Sequence, residues 1–388
     1  MNDRFLSNIP WKSVSWLNSS FLIGTLLLTL TVVPAYLWAN GLSLFQAALF
    51  VFFSIATGLS ITLGYHRLFS HLTFRARWPV RLFTLLFGAA AFENSALDWV
   101  SDHRRHHKFV DHDDDPYDIS KGFFFAHIGW TLFKLRPNTP MDNVADLQRD
   151  ALVRWQFRYY VPIAIFVSLV LPTLIGLAWG GWKVALGSFL IAGVARIVCV
   201  HHMTFFINSL CHTLGRQPYS SRCTARDSAV MAFFTFGEGY HNFHHEFQHD
   251  YRNGVKPWQF DPTKWAIWLL SKTGLVRDLR RVPPERILAA ELDEENRQLA
   301  RQLASISAPL ATPKYASLRA AQERLHEAMN RWEERKGAYL RCVEEKIHAS
   351  REKLAELKRD FEEAAAHLRA AIEHWRSTHR QLTEAQLA

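Results

Sequence analysis

The chain is poor in cysteine: its 388 residues include only Cys199, Cys211, Cys223 and Cys342. No two of these stand in a CxxC spacing. That excludes a zinc ribbon or ferredoxin-like cluster, leaves no disulfide framework, and points to a reducing compartment. A basic stripe on a soluble module is also missing, which argues against nucleic acid as a partner. Nor is the chain uniform. Hydrophobic residues make up 49% and aromatics 13%, yet the mean hydropathy is −0.08, an average over two unlike parts. From Pro284 onward Lys+Arg and Asp+Glu balance at 18 each, so the net charge of +9 lies in residues 1–283. Basic groups beside apolar segments suit an anionic membrane face or an acidic headgroup.

Four apolar runs occupy residues 21–38, 42–65, 159–182 and 184–210. Each can reach the roughly 20 residues a spanning helix needs. The first lacks a small-x-small cleavage site, so it reads as an anchor rather than a signal peptide. Residues 82–92 and 229–237 are too short to span and fit buried or re-entrant helices. The loops at 39–41 and 180–181 are tiny, while Arg67, Arg75, Arg77, Arg104, Arg105 and Lys108 crowd the other side. The positive-inside rule then places both termini in the cytoplasm, in a multi-pass integral membrane protein.

The tail is a different object. Pro283-Pro284 opens it, Pro309 and Pro313 interrupt it, and no proline follows Lys314. Leu318, Leu325, Trp332 and Tyr339 are spaced by sevens; after one longer step the series resumes at Ile347, Leu354, Phe361, Leu368, Trp375 and Leu382. This predicts a coiled coil or helical hairpin, with an irregularity just after Gly337, and either self-association or a partner helix. A single amphipathic helix lying on the rest of the chain is the plainer alternative. The expected organisation is an N-terminus (1–20), a transmembrane and cytoplasmic domain (21–283) and a helical extension (284–388). The expected fold is all-α: a four-helix transmembrane bundle, a histidine-rich cytoplasmic domain and the coiled-coil-like tail.

Of 19 histidines, 14 lie between residues 66 and 249. His66 and His71 form an HxxxxH cluster. His103, His106 and His107 form HxxHH, as do His241, His244 and His245. Residues at i, i+3 and i+4 share a helix face, so the second and third clusters each turn three imidazoles one way. Together the clusters offer more nitrogen ligands than one ion can use, which predicts two metals. Imidazole suits Zn, Cu, Fe or Ni, and spacing does not choose among them. His112, His201, His202 and His249 read as structural. His127 is open and could support the ligands, and the five tail histidines read as solvated.

These three boxes resemble those of membrane acyl-CoA desaturases of the stearoyl-CoA Δ9 type. The flanking residues Gly64-Tyr65-His66-Arg67-Leu68, Asp102-His103-Arg104, Gly122-Phe123-Phe124-Phe125 and Gly237-Glu238-Gly239-Tyr240-His241-Asn242 share that family's pattern. The likeness runs from about residue 21 to residue 281. It implies an O2-dependent enzyme with two histidine-bound irons that introduces a cis double bond into a long acyl chain, with zinc a possible substitute after heterologous expression. It adds His212 as a ninth ligand and Asn208 as a ligand through water. One iron would take His66, His107, His212, His241 and His245; the other His71, His103, His106 and His244.

For the substrate, the resemblance points to Asn94, Trp99, Asp102 and Lys121 at the head, Thr204 with Trp99 at a bend in the tunnel, and Ser54 and Gly58 near its far end. Two departures stand out: Ser101 and Ser120 occupy positions where the family carries basic residues that meet CoA phosphates. Acyl chains on CoA, glycerolipid or a carrier protein therefore all remain open. No cytochrome b5-like segment and no flavin or nicotinamide fingerprint occurs in the sequence, so a separate electron donor is expected. A fatty-acid or alkane hydroxylase with the same boxes is the main competing class. A metal transporter would want ligands near the bilayer midplane.

Overall fold

The computed structural model describes residues 10–135, 140–305, 313–344 and 351–387. Residues 1–9, Pro309 and Ile347 lie outside the described residues. The chain separates into two units, Met1–Val282 and Pro283–Ala388.

The first unit is built on long apolar helices. Helix α1 (Trp16–Asn40) contains no charged residue. Helix α2 (Leu44–Leu59) starts at a capping box: Ser43 Oγ accepts from the Gln46 amide at 3.2 Å, and Gln46 Oε1 accepts from the Ser43 amide at 3.3 Å. This satisfies two donors that would otherwise be stranded at the start of a span. The helix then widens into π-helical turns over Ser60–Ser70, which carry His66, and such wider turns recur at functional sites. Three segments are long and apolar enough to cross a membrane: Trp16–Asn40, Leu44–Ser70 and Tyr160–His212. The last, of 53 residues, is broken at Gly180 and Gly181, where φ turns to 73°. With the family relationship set out below, these segments make the chain a membrane protein.

Two short helices precede the break. Helix α3 (Trp78–Ala89) follows a two-residue antiparallel sheet, β1 (Arg75–Ala76) on β2 (Val276–Arg277). Helix α4 (Ala96–Phe109) is capped by Ser95, whose Oγ accepts from the Asp98 amide at 3.2 Å. Helix α5 (Leu171–Ser188) carries the Gly180-Gly181 break, and α6 (Arg196–Ser209) leads to His212. Arg196 is fully buried, and its guanidinium donates to the carbonyl of Ala90 at 2.8 Å and to Ser168. A buried cation in an apolar segment is tolerated when backbone carbonyls and hydroxyls solvate it in this way.

Beyond the spans come α7 (Ala229–Phe234), α8 (His241–Glu246) and α9 (Pro262–Lys272). Arg67 ties these to α2. It is 1% exposed and donates to Glu238 Oε1 at 2.9 Å, to both oxygens of Asp261 at 3.0 and 3.1 Å, and to the Tyr251 carbonyl at 2.8 Å. Asp261 in turn caps α9 by accepting from the Lys264 amide at 2.9 Å.

In the second unit, α10 (Pro284–Ser305), α11 (Pro313–Glu344) and α12 (Arg351–Leu387) share a core of Leu292, Leu318, Leu325, Trp332, Leu368 and Trp375. The heptad residues Leu318, Leu325 and Trp332 are therefore buried. Trp375 Nε1 donates to Asn296 at 3.1 Å, and Arg335 pairs with Asp360 at 2.9 Å. α11 runs helical through Gly337 to Glu344, and the rest of the longer heptad step, up to Ile347, lies outside the described residues. A Cβ at Gly337 would meet only the Arg341 side chain, at 3.3 Å, so the glycine marks no forced bend.

Candidate metal centre and substrate cavity

Nine histidines from four places in the chain converge. The ring nitrogens of His66, His71, His103, His107 and His244 form one group, and those of His106, His212, His241 and His245 form a second; within each group all lie within 4.8 Å of one another. In the first, His66 Nε2 and His107 Nε2 approach His244 Nε2 at 2.9 and 3.0 Å, and His71 Nε2 is 2.9 Å from His103 Nε2. In the second, His241 Nε2 is 3.1 Å from His212 Nε2 and 3.0 Å from His245 Nε2.

This partition differs from the expected one. His66 and His107 join the group of His71, His103 and His244, while His106 stands with His212, His241 and His245. The physical reason is helix geometry. On α4, positions 103 and 107 are a full turn apart and face the same way, whereas 106 is rotated to one side. On α8, 241 and 245 go together while 244 looks the other way. The second and third boxes therefore each serve both groups, rather than turning three imidazoles toward one point, while the first box serves one group alone.

Local contacts aim these rings. Glu238 Oε2 lies 2.7 Å from His66 Nδ1, and Asp115 Oδ1 lies 2.8 Å from His106 Nδ1. Thr224 Oγ1 is 2.8 Å from His212 Nδ1 and itself donates to Asp111 at 2.6 Å. Holding Nδ1 on an acceptor fixes the tautomer that leaves Nε2 free to ligate. Burial pushes both carboxylates up, but His66 and Arg67 hold Glu238 below its usual range, and His106 does the same for Asp115. Asp227 Oδ1 accepts from the Asn242 and Phe243 amides at 2.7 and 3.1 Å and so caps α8, the helix of the third box. Burial raises this carboxyl to about 7. Gly239 is required for the approach to α7, since a Cβ there would sit 2.1 Å from the Ala232 amide nitrogen.

Burial and mutual repulsion drive His71, His103, His107, His241, His244 and His245 well below the ordinary imidazole range. They are neutral, as metal ligands must be. His106 Nε2 is buried with no hydrogen-bond partner. An all-imidazole, neutral, pre-aimed donor set of this kind fits a metal centre. His127 lies outside both groups: its Nδ1 meets Ser209 Oγ at 3.0 Å and its Nε2 meets His202 Nδ1 at 3.1 Å. His249 donates to the His71 carbonyl at 3.1 Å, and His201 is buried against Phe205.

A cavity of about 1220 Å³ opens beside the histidines, with His66, His103, His106 and His241 in its wall. Asn94, Trp99, Asp102, Lys121, Thr204, Asn208, Ser54 and Gly58 all line it. Trp99 stacks on His103 with centroids 4.7 Å apart. The sequence reading missed the residue that joins Trp99 to Thr204. Glu93 accepts from Thr204 Oγ1 at 2.7 Å and from Trp99 Nε1 at 3.3 Å, and burial raises it to about 7. Its only sequence signal was its place beside Asn94. Lys121 lies 3.4 Å from Asp118, and Ser101 is buried, donating to Asn143 Oδ1 at 2.8 Å.

The pattern of the fatty acid desaturase family matches residues 43–269. The chain is 37% identical over 300 residues to a probable acyl-CoA desaturase of Schizosaccharomyces pombe, covering 76% of this chain and 61% of the relative. It is 38% identical over 313 residues to acyl-CoA desaturase 1 of Saccharomyces cerevisiae, covering 78% and 60%. These two relatives are thus matched over about three fifths of their length. With the stearoyl-CoA desaturase of Sus scrofa it shares 33% identity over 287 residues, covering 72% of this chain and 76% of the relative. The matched region contains all three boxes, and the chain belongs to the fatty acid desaturase family.

Proposed function

We propose that this protein is an O2-dependent diiron oxidoreductase that places a cis double bond at the ninth carbon of a long saturated acyl chain carried on CoA. The observation that carries the reading is the single cavity beside both imidazole groups, lined at once by Asn94, Asp102 and Lys121 and by Ser54 and Gly58 of α2. Bound iron would supply the oxidising power, drawn from O2 and two external electrons, that removes hydrogens from unactivated methylenes.

The chain's own residues do the positioning. Thr204, Glu93 and Trp99 form a hydrogen-bonded elbow against His103, which suits a bent acyl chain. Burying an acyl chain of about 18 carbons at ~0.8 kcal/mol per CH2 gives ample affinity but no register. Register comes from fixing the head at Asn94, Asp102 and Lys121 and stopping the tail. Asn208, one turn before His212, is the residue to hold a metal-bound water. The electrons come from a separate redox protein, which the basic cytoplasmic surface favours if that protein is acidic. The segment Tyr160–His212 crosses twice by turning at Gly180-Gly181, giving four crossings with both termini cytoplasmic. A glycerolipid or carrier-bound acyl chain is the second reading, favoured by the Lys121–Asp118 pair, in which a carboxylate shares the charge of Lys121.

Expression in a host without its own desaturase tests this. The expected product is the substrate less two hydrogens, from a chain holding two irons; a product gaining one oxygen would make it a hydroxylase. His107→Ala and His244→Ala should each abolish the product with insertion unchanged. Parental product from either variant would overturn the metal assignment. Zinc found after heterologous expression would not, since imidazole accepts it readily.

A further inference from the structure

His66 and His106 each meet a carboxylate directly, through Nδ1. His212 is different. Its Nδ1 is 4.0 Å from Asp111 Oδ1, too far for a hydrogen bond. The Thr224 hydroxyl stands between them, 2.8 Å from the ring nitrogen and 2.6 Å from the carboxylate. The other oxygen, Asp111 Oδ2, accepts from the Thr224 amide at 2.6 Å. Asp111 thus takes both donors of one threonine that lies 113 residues further along the chain.

Both partners are fixed from outside the contact. Gln217 Nε2 donates to the carbonyls on either side of Thr224, that of Cys223 at 2.6 Å and that of Ala225 at 3.3 Å. The Arg226 amide donates at 2.7 Å to the carbonyl of Cys211, the residue before His212. Asp111 has φ of 63°, in the left-handed region that Asp and Asn enter more readily than other side chains. The direction of each bond then follows by counting hydrogens. A carboxylate only accepts, and a threonine hydroxyl has a single hydrogen to give. That hydrogen goes to Asp111, so Thr224 Oγ1 must accept from His212 Nδ1. A neutral imidazole has no second ring hydrogen, which leaves Nε2 bare. This Nε2 is the atom that joins the second group, 3.1 Å from His241 Nε2.

We propose that Asp111 is a positioning residue for the metal centre, acting through the Thr224 hydroxyl to keep the hydrogen of His212 off the atom that ligates. This rests on the metal reading above. Such a relay has a polarity, and the polarity can be reversed. With asparagine at 111, the amide oxygen must take the Thr224 backbone N–H, because no other atom of that side chain accepts a bond. The NH2 group then faces Thr224 Oγ1 and donates to it. The hydroxyl turns its hydrogen to His212 Nδ1, and the ring carries its own hydrogen on Nε2, where it opposes the metal. Asparagine suits a left-handed backbone as aspartate does, and alanine suits it less. On backbone grounds alone Asp111→Asn is therefore the milder change. The relay makes it the more severe one.

The test uses the full chain loaded with zinc, so that binding is read apart from turnover, and follows metal release to a chelator. The step that belongs to the group of His106, His212, His241 and His245 is identified by its loss in His245→Ala. At that group Asp111→Ala should weaken binding roughly tenfold and Asp111→Asn roughly a hundredfold, the range over which partners behind a metal-binding imidazole act. The other group should keep its parental affinity. Thr224→Ser retains the hydroxyl and should restore parental binding. Thr224→Val removes it, and adding Asp111→Asn to Thr224→Val should cost nothing more, since no hydroxyl is left to reverse. Asp111→Asn that holds zinc as tightly as Asp111→Ala would overturn the relay, as would full additivity of the changes at 111 and 224. Melting of the metal-free variants separates the relay from misfolding: Asp111→Asn should be no less stable than Asp111→Ala, and a lower melting temperature for Asp111→Asn would trace the loss to folding and overturn the proposal. A parental chain that binds no metal would overturn the proposal and the metal reading together.

Discussion

At the scale of the residue, Glu93 makes the sharpest prediction. It is an acid that receives bonds from Thr204 and Trp99, and burial raises it from its ordinary 4.5 to about 7. The folded state therefore holds its proton where the unfolded chain has released it. Its contribution to stability is fully present below about pH 4.5 and is lost as pH rises through about 7. A glutamine there stays neutral throughout and can bond both partners, because the Thr204 hydroxyl can turn to accept. Glu93→Gln should thus melt close to the parent near pH 5 and increasingly above it toward pH 8; parallel melting temperatures across that range would refute the assignment. The sequence flagged Asn94 and passed over its neighbour, because a lone glutamate beside a box carries no periodic or spacing signal. The same holds for Asp111: nothing in Val-Asp-His-Asp tells which acid will take the Thr224 hydroxyl. The histidines were legible because a metal site needs several of one residue type at fixed intervals.

At the scale of the element, α4 is the centre of the site. It sends His103 and His107 to one group and His106 to the other, and Asp115 steadies the odd ring out. Asp115 also accepts from the amides of Tyr117 at 2.9 Å and Asp111 at 3.3 Å, so it is anchored before it meets the imidazole. Asp115→Asn keeps the shape and weakens the acceptor. Metal at the group of His106, His212, His241 and His245 should be held about 10–100-fold less tightly, with the other group unchanged. Competition with a chelator, read as two separate release steps, measures this. Equal weakening of both steps, or of neither, would show that Asp115 does not act through His106. The spacing of HxxHH revealed that its rings share a face, but not that 3.6 residues per turn would divide them between two destinations. That division depends on where α8 and His212 arrive from, which is tertiary information. Gly337 does not interrupt α11, because glycine lowers helix stability by roughly 1 kcal/mol, too little to break a helix packed along its length.

At the scale of the whole molecule, the two units keep their chemistry apart. All nine histidines of the candidate centre fall within residues 1–282, and the second unit has its own core around Trp332 and Trp375. A chain ended after Pro283 should therefore insert, retain its metal and keep parental turnover per inserted molecule. A well-inserted truncation that binds metal but does not turn over would give the tail a direct part in the reaction. The composition break at Pro284 was readable because the charge balance changes there, whereas the tail's partner was not, since heptads specify a seam and not what fills it. The division of α4 and α8 between both imidazole groups has one more consequence. Each group takes rings from both of these helices, so the spacing of the two groups is set by how α4 and α8 lie and not by either group alone. A substitution that tilts either helix should therefore loosen metal at both groups together, whereas one that removes the support of a single ring should loosen metal at one group only.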